Sequence, residues 1–225
     1  MVKLKRHKKI RVFEGFAGYG GATFGLQRAG INFDDVGYSE FDKFASALYD
    51  ENHKDKYGNP IKNWGDITKI DPRKLPNFDL FTGGFPCQPF SQVGLQQGEK
   101  DRYGRGTLMY DILRICEIKK PKYIFLENVK GLATKRFENT FNTLKQALKD
   151  MGYGDLHYAI LNTKDYGIPQ NRERLWMSAR LGGLPENFSM VPPHIDNGLR
   201  LSDFVDKKPD KSLYLSRQQI GRAHV

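Results

Sequence analysis

The chain has 225 residues, 39% of them hydrophobic and 28% charged, with a formal net charge of +10. That length allows one sizeable domain with a real core and part of a second; no apolar run is long enough to span a bilayer, and the basic stretch through Lys3, Lys5, Arg6, Lys8 and Lys9 leads into no signal-peptide core. Two cysteines, Cys87 and Cys116, exclude a disulfide framework and point to a reducing, cytoplasmic setting, while the positive charge favours an anionic partner, nucleic acid before others.

In chain order, residues 10–17 (IRVFEGFA) read as a strand and GATFGLQRAG as a helix stopped by Gly30. FDDVGYSE follows as a second strand and DKFASALYDEN as a second helix. Residues 78–84 (FDLFTGG) form a short buried strand ending in glycines, GTLMYDILRICEIKK has helical spacing, and PKYIFLENV returns to strand. RFENTFNTLKQALKDMG is an amphipathic helix closed by Gly152, and HYAILNT and RLWMSAR are late strands suited to pair with each other. This alternation predicts an α/β fold with a mostly parallel sheet and helices on both faces. Beyond Leu184 the pattern loosens into a Pro-rich, polar tail in which LSDFVDKK is a short helix candidate, KSLYLSRQQ has no neighbouring element to pair with, and the last six residues, IGRAHV, read as foreign sequence.

The first strand–helix turn carries Gly18, Gly20 and Gly21, which let the backbone approach a ligand and aim helix N-terminal amides at it. An ordinary turn would need no more than this. The added weight comes from Glu40, at the end of the next strand, where an acid takes ribose hydroxyls, and from Asp66 in a third strand-end loop, where an acid accepts from an adenine amino group. Cys116 lies on the apolar face of a helix and reads as a small core residue. Cys87 does not: it follows a strand directly, Pro86 fixes the backbone before it, and its flanks are turn residues, so it is a candidate nucleophile at the sheet edge where open α/β proteins bind ligands. The polar run 91–106, hinged by four glycines, suits a lid over that edge.

GFPCQPFS resembles the nucleophile motif of the cytosine-5 DNA methyltransferases, and further motifs fall in that family's order. FAGYGG is similar to its cofactor motif, YSEFD and GDI to its ribose and adenine contacts, RGTLMYDILRI to the segment after its mobile loop, ENVKGL to its Glu-Asn-Val motif, and DYGIPQNRERLW to its late arginine motif. One departure stands at Glu14 and Gly15, where the family more often has Asp-Leu. The resemblance implies a Rossmann-like S-adenosylmethionine-dependent methyltransferase fold, with residues 1–190 as the catalytic domain and 191–225 as a linker and the start of a target-recognition region. It implies S-adenosylmethionine bound by Phe16, Gly18, Gly20, Gly21, Glu40, Asp66, Ile67 and Pro86, no metal, and double-stranded DNA contacted by Gln88 and Ser91.

The implied chemistry begins with addition of the Cys87 thiolate to carbon 6 of a flipped cytosine, since carbon 5 alone is a poor nucleophile. Glu127 then serves ring nitrogen 3, Asn128 orients the turn, and Arg174 with Arg172 lies near Glu127 and the exocyclic oxygen. A transfer-RNA cytosine methyltransferase of the same fold and an inactive nucleic-acid-binding fragment are the alternatives. Family members carry a target-recognition region and a returning segment after the arginine motif, so the expectation is a truncated chain that alone methylates DNA weakly or not at all, with a separately encoded partner chain able to supply the missing part.

Overall fold

The computed structural model describes residues 9–86, 108–208, 210 and 214. Six strands form one sheet: β1 (Ile10–Gly15), β2 (Phe33–Ser39), β3 (Leu80–Gly84), β4 (Tyr123–Val129), β5 (His157–Asn162) and β6 (Glu173–Arg180). They lie in the order β2-β1-β3-β4-β6-β5. β1 is parallel to β2 and β3, β3 is parallel to β4, and β6 runs antiparallel to β4. Among the described residues four α-helices accompany them: α1 (Gly21–Arg28), α2 (Lys43–Asn52), α3 (Leu108–Lys119) and α4 (Glu138–Leu148). The sheet is mostly parallel, and the two late strands are neighbours.

Alternation along the strands divides the core. Phe13 and Phe81 join Ile124, Leu126, Leu175 and Met177 on one face, under Met109, Ile112 and Cys116 of α3 and Phe141, Leu144 and Leu148 of α4. Cys116 is fully buried there, and burial pushes its thiol up, away from reactivity. On the other face, Glu14 meets α1, and Tyr38 of β2 stacks on Tyr49 of α2 with ring centroids 3.8 Å apart. The β4–β6 part of that second face carries Phe125 stacked on Trp176, and Phe125 is 36% exposed.

The chain leaves β1 toward β2 and returns on the opposite side of β1 as β3, so the order reverses between β1 and β3. A crevice at the carboxyl ends of the strands opens at such a reversal. Gly15 pairs with Gly83 at this point, and a Cβ on Gly83 would lie 2.4 Å from the Gly15 carbonyl oxygen. Only glycine permits that approach.

The described residues divide into two compact units, one of residues 9–161 with 173–192 and one of residues 162–172 with those described from 193 onward. The smaller unit is tied by a bridge between Tyr166 and Ile195 and by the Asn162 side chain, which accepts from the backbone N–H groups of Lys164 and Arg172. Residues 201–203 of the LSDFVDKK stretch form a single 3₁₀ turn.

Candidate active site

β1 stops at Gly15 because Phe16 turns into the left-handed region at φ 54°, an unusual conformation for a residue with a side chain and one that clusters at ligand sites. The turn that follows is closed by Gly20, whose N–H donates to the Ala17 carbonyl at 2.8 Å. As N-cap of α1, Gly20 has no side chain to offer the first helical amides. Glu14, buried within β1, does so instead. Its carboxylate accepts from Ala22 N–H at 3.1 Å, Thr23 N–H at 3.3 Å and the Thr23 hydroxyl at 2.7 Å. Burial pushes the Glu14 carboxyl up to about 7, against the pull of those donors.

Glu40 follows β2 and bridges two loops: Oε2 accepts from Gly18 N–H and Oε1 from Asp42 N–H, both at 2.9 Å. Asp42 in turn caps α2. Asp66 does not close a third strand of the sheet, which corrects the sequence expectation. The stretch before it makes one isolated bridge, Asn63 to Tyr38, and Asp66 caps the 3₁₀ turn Ile67–Lys69. Thr68, donating through both its hydroxyl and its N–H, holds the Asp66 carboxyl below the usual carboxylate range. Arg114 of α3 secures the same turn, donating to the carbonyls of Ile67 and Ile70 and to Asp111.

Phe16, Glu40, Asp66, Ile67 and Pro86 all line one cleft, which continues along α3 to α4 and has a volume of about 1640 Å³. Gly18 reaches it through Glu40. Gly20 and Gly21 are not among its lining residues and serve the turn instead. Phe41, which the sequence reading passed over, lines the cleft beside Glu40 with 82% of its surface exposed. An exposed aromatic directly after a strand-end acid was the available signal.

At the carboxyl end of β3, Gly84 and Pro86 line the same cleft. Cys87, Gln88, Ser91 and the glycine-hinged run 91–106 lie outside the described residues. Glu127 lies near the carboxyl end of β4, paired with Gly84, with its Oε2 only 2.8 Å from where a Gly84 Cβ would lie. Arg174 of β6 donates through Nε to Glu127 Oε1 at 2.8 Å, and the two side chains are only 24% and 26% exposed. Arg174 also donates to the Glu173 carbonyl, and the Glu173 carboxylate pairs with Lys130. Asn128, buried, donates from Nδ2 to the Phe85 carbonyl at 2.8 Å and so fixes the backbone just before Pro86. Arg172 belongs to the smaller unit, where its N–H donates to Asn162 and its carbonyl accepts from Thr163. The described residues thus bring Glu127, Arg174 and Gly84 together at one sheet edge. Among them no group of three or more His, Cys, Asp or Glu could hold a metal ion, and no helix is long and apolar enough to cross a membrane.

A mostly parallel sheet with a crevice at its reversal point, an acid after β2 and an acid–arginine pair at the strand-end glycines define an α/β enzyme with its candidate site at the carboxyl ends of the strands. This chain belongs to the C-5 cytosine-specific DNA methylase family, whose profile matches residues 10–221. It is 34% identical to the Type II methyltransferase M2.ScrFI of Lactococcus lactis subsp. cremoris, over 94% of this chain and 72% of the relative. Identity to the Type II methyltransferase M.HhaI of Haemophilus parahaemolyticus is 40%, over 85% of this chain and 56% of that protein. Among solved structures it is similar to the Dnmt2 methyltransferase of S. pombe, with a TM-score of 0.69 and 25% identity over 96% of this chain and 66% of that one. Other relatives are phage proteins, such as an orphan methyltransferase of Bacillus phage rho11s, of which this chain covers 35%.

Proposed function

We propose that this chain binds S-adenosylmethionine in the cleft between β1, β2 and α3 and methylates carbon 5 of cytosine flipped out of double-stranded DNA. The observation that carries the reading is the Glu127–Arg174 ion pair beside Gly84, on the strand end that leads directly to Pro86 and Cys87.

The cleft residues fit the cofactor. Glu40 and Asp66 offer acceptors to ribose hydroxyls and an adenine amino group, and Phe16 and Phe41 offer apolar surface to the base. The Gly18 N–H, which a dinucleotide site would turn toward pyrophosphate, is already taken by the Glu40 carboxylate, whose charge repels phosphate and suits a sulfonium. When bound, S-adenosylmethionine supplies the methyl group.

The remaining work belongs to the protein. The Cys87 thiolate adds to carbon 6 and leaves once the carbon-5 proton is lost; a thiol is suited to both, as a strong nucleophile and a competent leaving group. Glu127 meets nitrogen 3 and supplies the proton that absorbs the negative charge developing in the ring. Arg174 fixes the carboxyl group's orientation and adds donors for the exocyclic oxygen. Gln88 and Ser91 contact DNA in this reading. Residues 1–190 are the catalytic part in this reading, and residues 191–225 lead toward target recognition.

The test is transfer of labelled methyl from S-adenosylmethionine to duplex DNA, with transfer RNA in parallel, and trapping of the adduct on DNA carrying 5-fluorocytosine. Label in DNA and a covalent adduct at Cys87 are expected. Label in transfer RNA alone would move the substrate to RNA, and tighter calorimetric binding of NAD than of S-adenosylmethionine would overturn the cofactor.

A further inference from the structure

The turn between β1 and α1 is gripped from a side that the cleft does not use. His53 follows the last turn of α2 and is 2% exposed. Its ring centroid lies 4.5 Å from that of Phe24 on α1 and 4.6 Å from that of Tyr49. Its Nε2 is 3.0 Å from the Tyr19 carbonyl oxygen. A carbonyl only accepts, so Nε2 carries the hydrogen and Nδ1 is bare. That Nδ1 is buried with no partner. An unsatisfied buried nitrogen is a cost, so the ring's place is set by what its other edge does. Burial also lowers its basicity.

That other edge faces Gly20. A Cβ on Gly20 would lie 2.0 Å from His53 Nε2 and 3.0 Å from the Tyr49 ring, and Gly20 has a φ of +87°. The grip continues toward the cleft, because Gly20 N–H donates to Ala17 and Gly18 N–H donates to Glu40.

We infer that His53 is a positioning residue for this turn: through the Tyr19 carbonyl and the space left by Gly20 it sets the shape of residues 17–20 and thereby the aim of Glu40 into the cleft. The link to the cofactor rests on the proposed function; the link to the turn does not.

Two variants of the full chain separate the ring's hydrogen bond from its bulk. His53→Leu keeps apolar volume and removes the donor, whereas the amide nitrogen of His53→Gln reaches where Nε2 was. In ligand-free protein, His53→Leu is expected to speed hydrogen exchange at the Gly18 and Gly20 amides by about tenfold, with the Phe13 amide of β1 unmoved. His53→Gln restores most of the protection. In calorimetry with S-adenosylmethionine, His53→Leu weakens binding by roughly five- to tenfold and His53→Gln by no more than about twofold, the size of one net hydrogen bond. Gly20→Ala lowers the protection further in the wild-type background than beside His53→Ala, because removing the ring relieves the contact. Unchanged exchange in His53→Leu, or equal behaviour of the Leu and Gln variants, overturns the inference. A wild-type chain that binds no S-adenosylmethionine overturns the cofactor assignment instead, and the exchange arm still decides the role of His53.

Discussion

The acids at the β1–β2 end of the sheet and the acid at its β4–β6 end are held by different kinds of partner. Glu14, Glu40 and Asp66 each accept backbone N–H groups, from Ala22 and Thr23, from Gly18 and Asp42, and from Thr68. Glu127 is held by a side chain, the Arg174 guanidinium. Backbone donors fix a carboxylate as firmly as the fold itself, which suits a site that must present one shape to a cofactor. A side-chain partner has rotamers of its own, and it suits an acid that must meet a base arriving from solution and handle a proton. On the proposed function, the first region serves recognition and the second chemistry, and loss of function should divide the same way.

The largest effect is expected at Cys87. Cys87→Ala should abolish methyl transfer and 5-fluorocytosine trapping while leaving calorimetric binding of S-adenosylmethionine within about twofold of wild type. Parallel loss of cofactor binding would break the division between the two regions. Next come the members of the ion pair. Glu127→Gln should lower kcat by about 10²- to 10⁴-fold with little change in KM for the cofactor. Arg174→Lys, which keeps the charge but loses the forked donors, should recover only part of wild-type activity. Glu40→Ala should act in the opposite sense, weakening S-adenosylmethionine binding by about 10- to 100-fold with kcat at saturation nearly preserved, since two charge-assisted bonds and the ribose acceptor go together.

The smallest effect is one of pH. The buried carboxyls of Glu14 and Asp35 are pushed up to about 7 and about 6, so the folded chain holds protons that the unfolded chain has already released. The stability they contribute is fully present below the ordinary carboxylate pKa, roughly 4, and is lost as pH rises through about 7. Glu14→Gln should therefore flatten the fall in unfolding free energy between those limits, by on the order of 2–3 kcal/mol. A variant whose stability curve keeps the wild-type slope in that window would show that Glu14 does not titrate there.

Much of the sheet was legible: β4 is a nearly continuous apolar run, as a strand inside a parallel sheet is, and β2 and both late strands also stand where the sequence places strands. The errors fall at ends. β1 is shorter than the run 10–17 because Phe16 takes a left-handed conformation, which no apolar pattern announces. β3 starts at Leu80 and not at residue 78 because Asp79 is tied to Arg11, donating its N–H to the Arg11 carbonyl and accepting from the guanidinium. Motifs singled out Glu40, Asp66, Glu127 and Arg174, and the structure places the first two on the cleft and pairs the other two beside Gly84. Glu14 looked like a variant of a motif position, and its task emerges only when folding brings Thr23 onto it. His53 carried no local signal at all, since its partners are the Tyr19 carbonyl and the absent side chain of Gly20.

The chain has two tryptophans, Trp64 and Trp176. Trp64 precedes Gly65 and Asp66 of the cleft, and its ring lies 3.8 Å from the Lys62 ammonium. Trp176 is directly opposite Glu127 in the β4–β6 register, with its ring stacked on Phe125. Each region therefore contains its own native fluorophore. With Trp64→Phe, the emission of Trp176 would report events at the Glu127 edge without a label; with Trp176→Phe, Trp64 would report on the turn at Asp66. Stopped-flow traces from the two variants would time the filling of the cleft and the arrival of the base on separate optical channels.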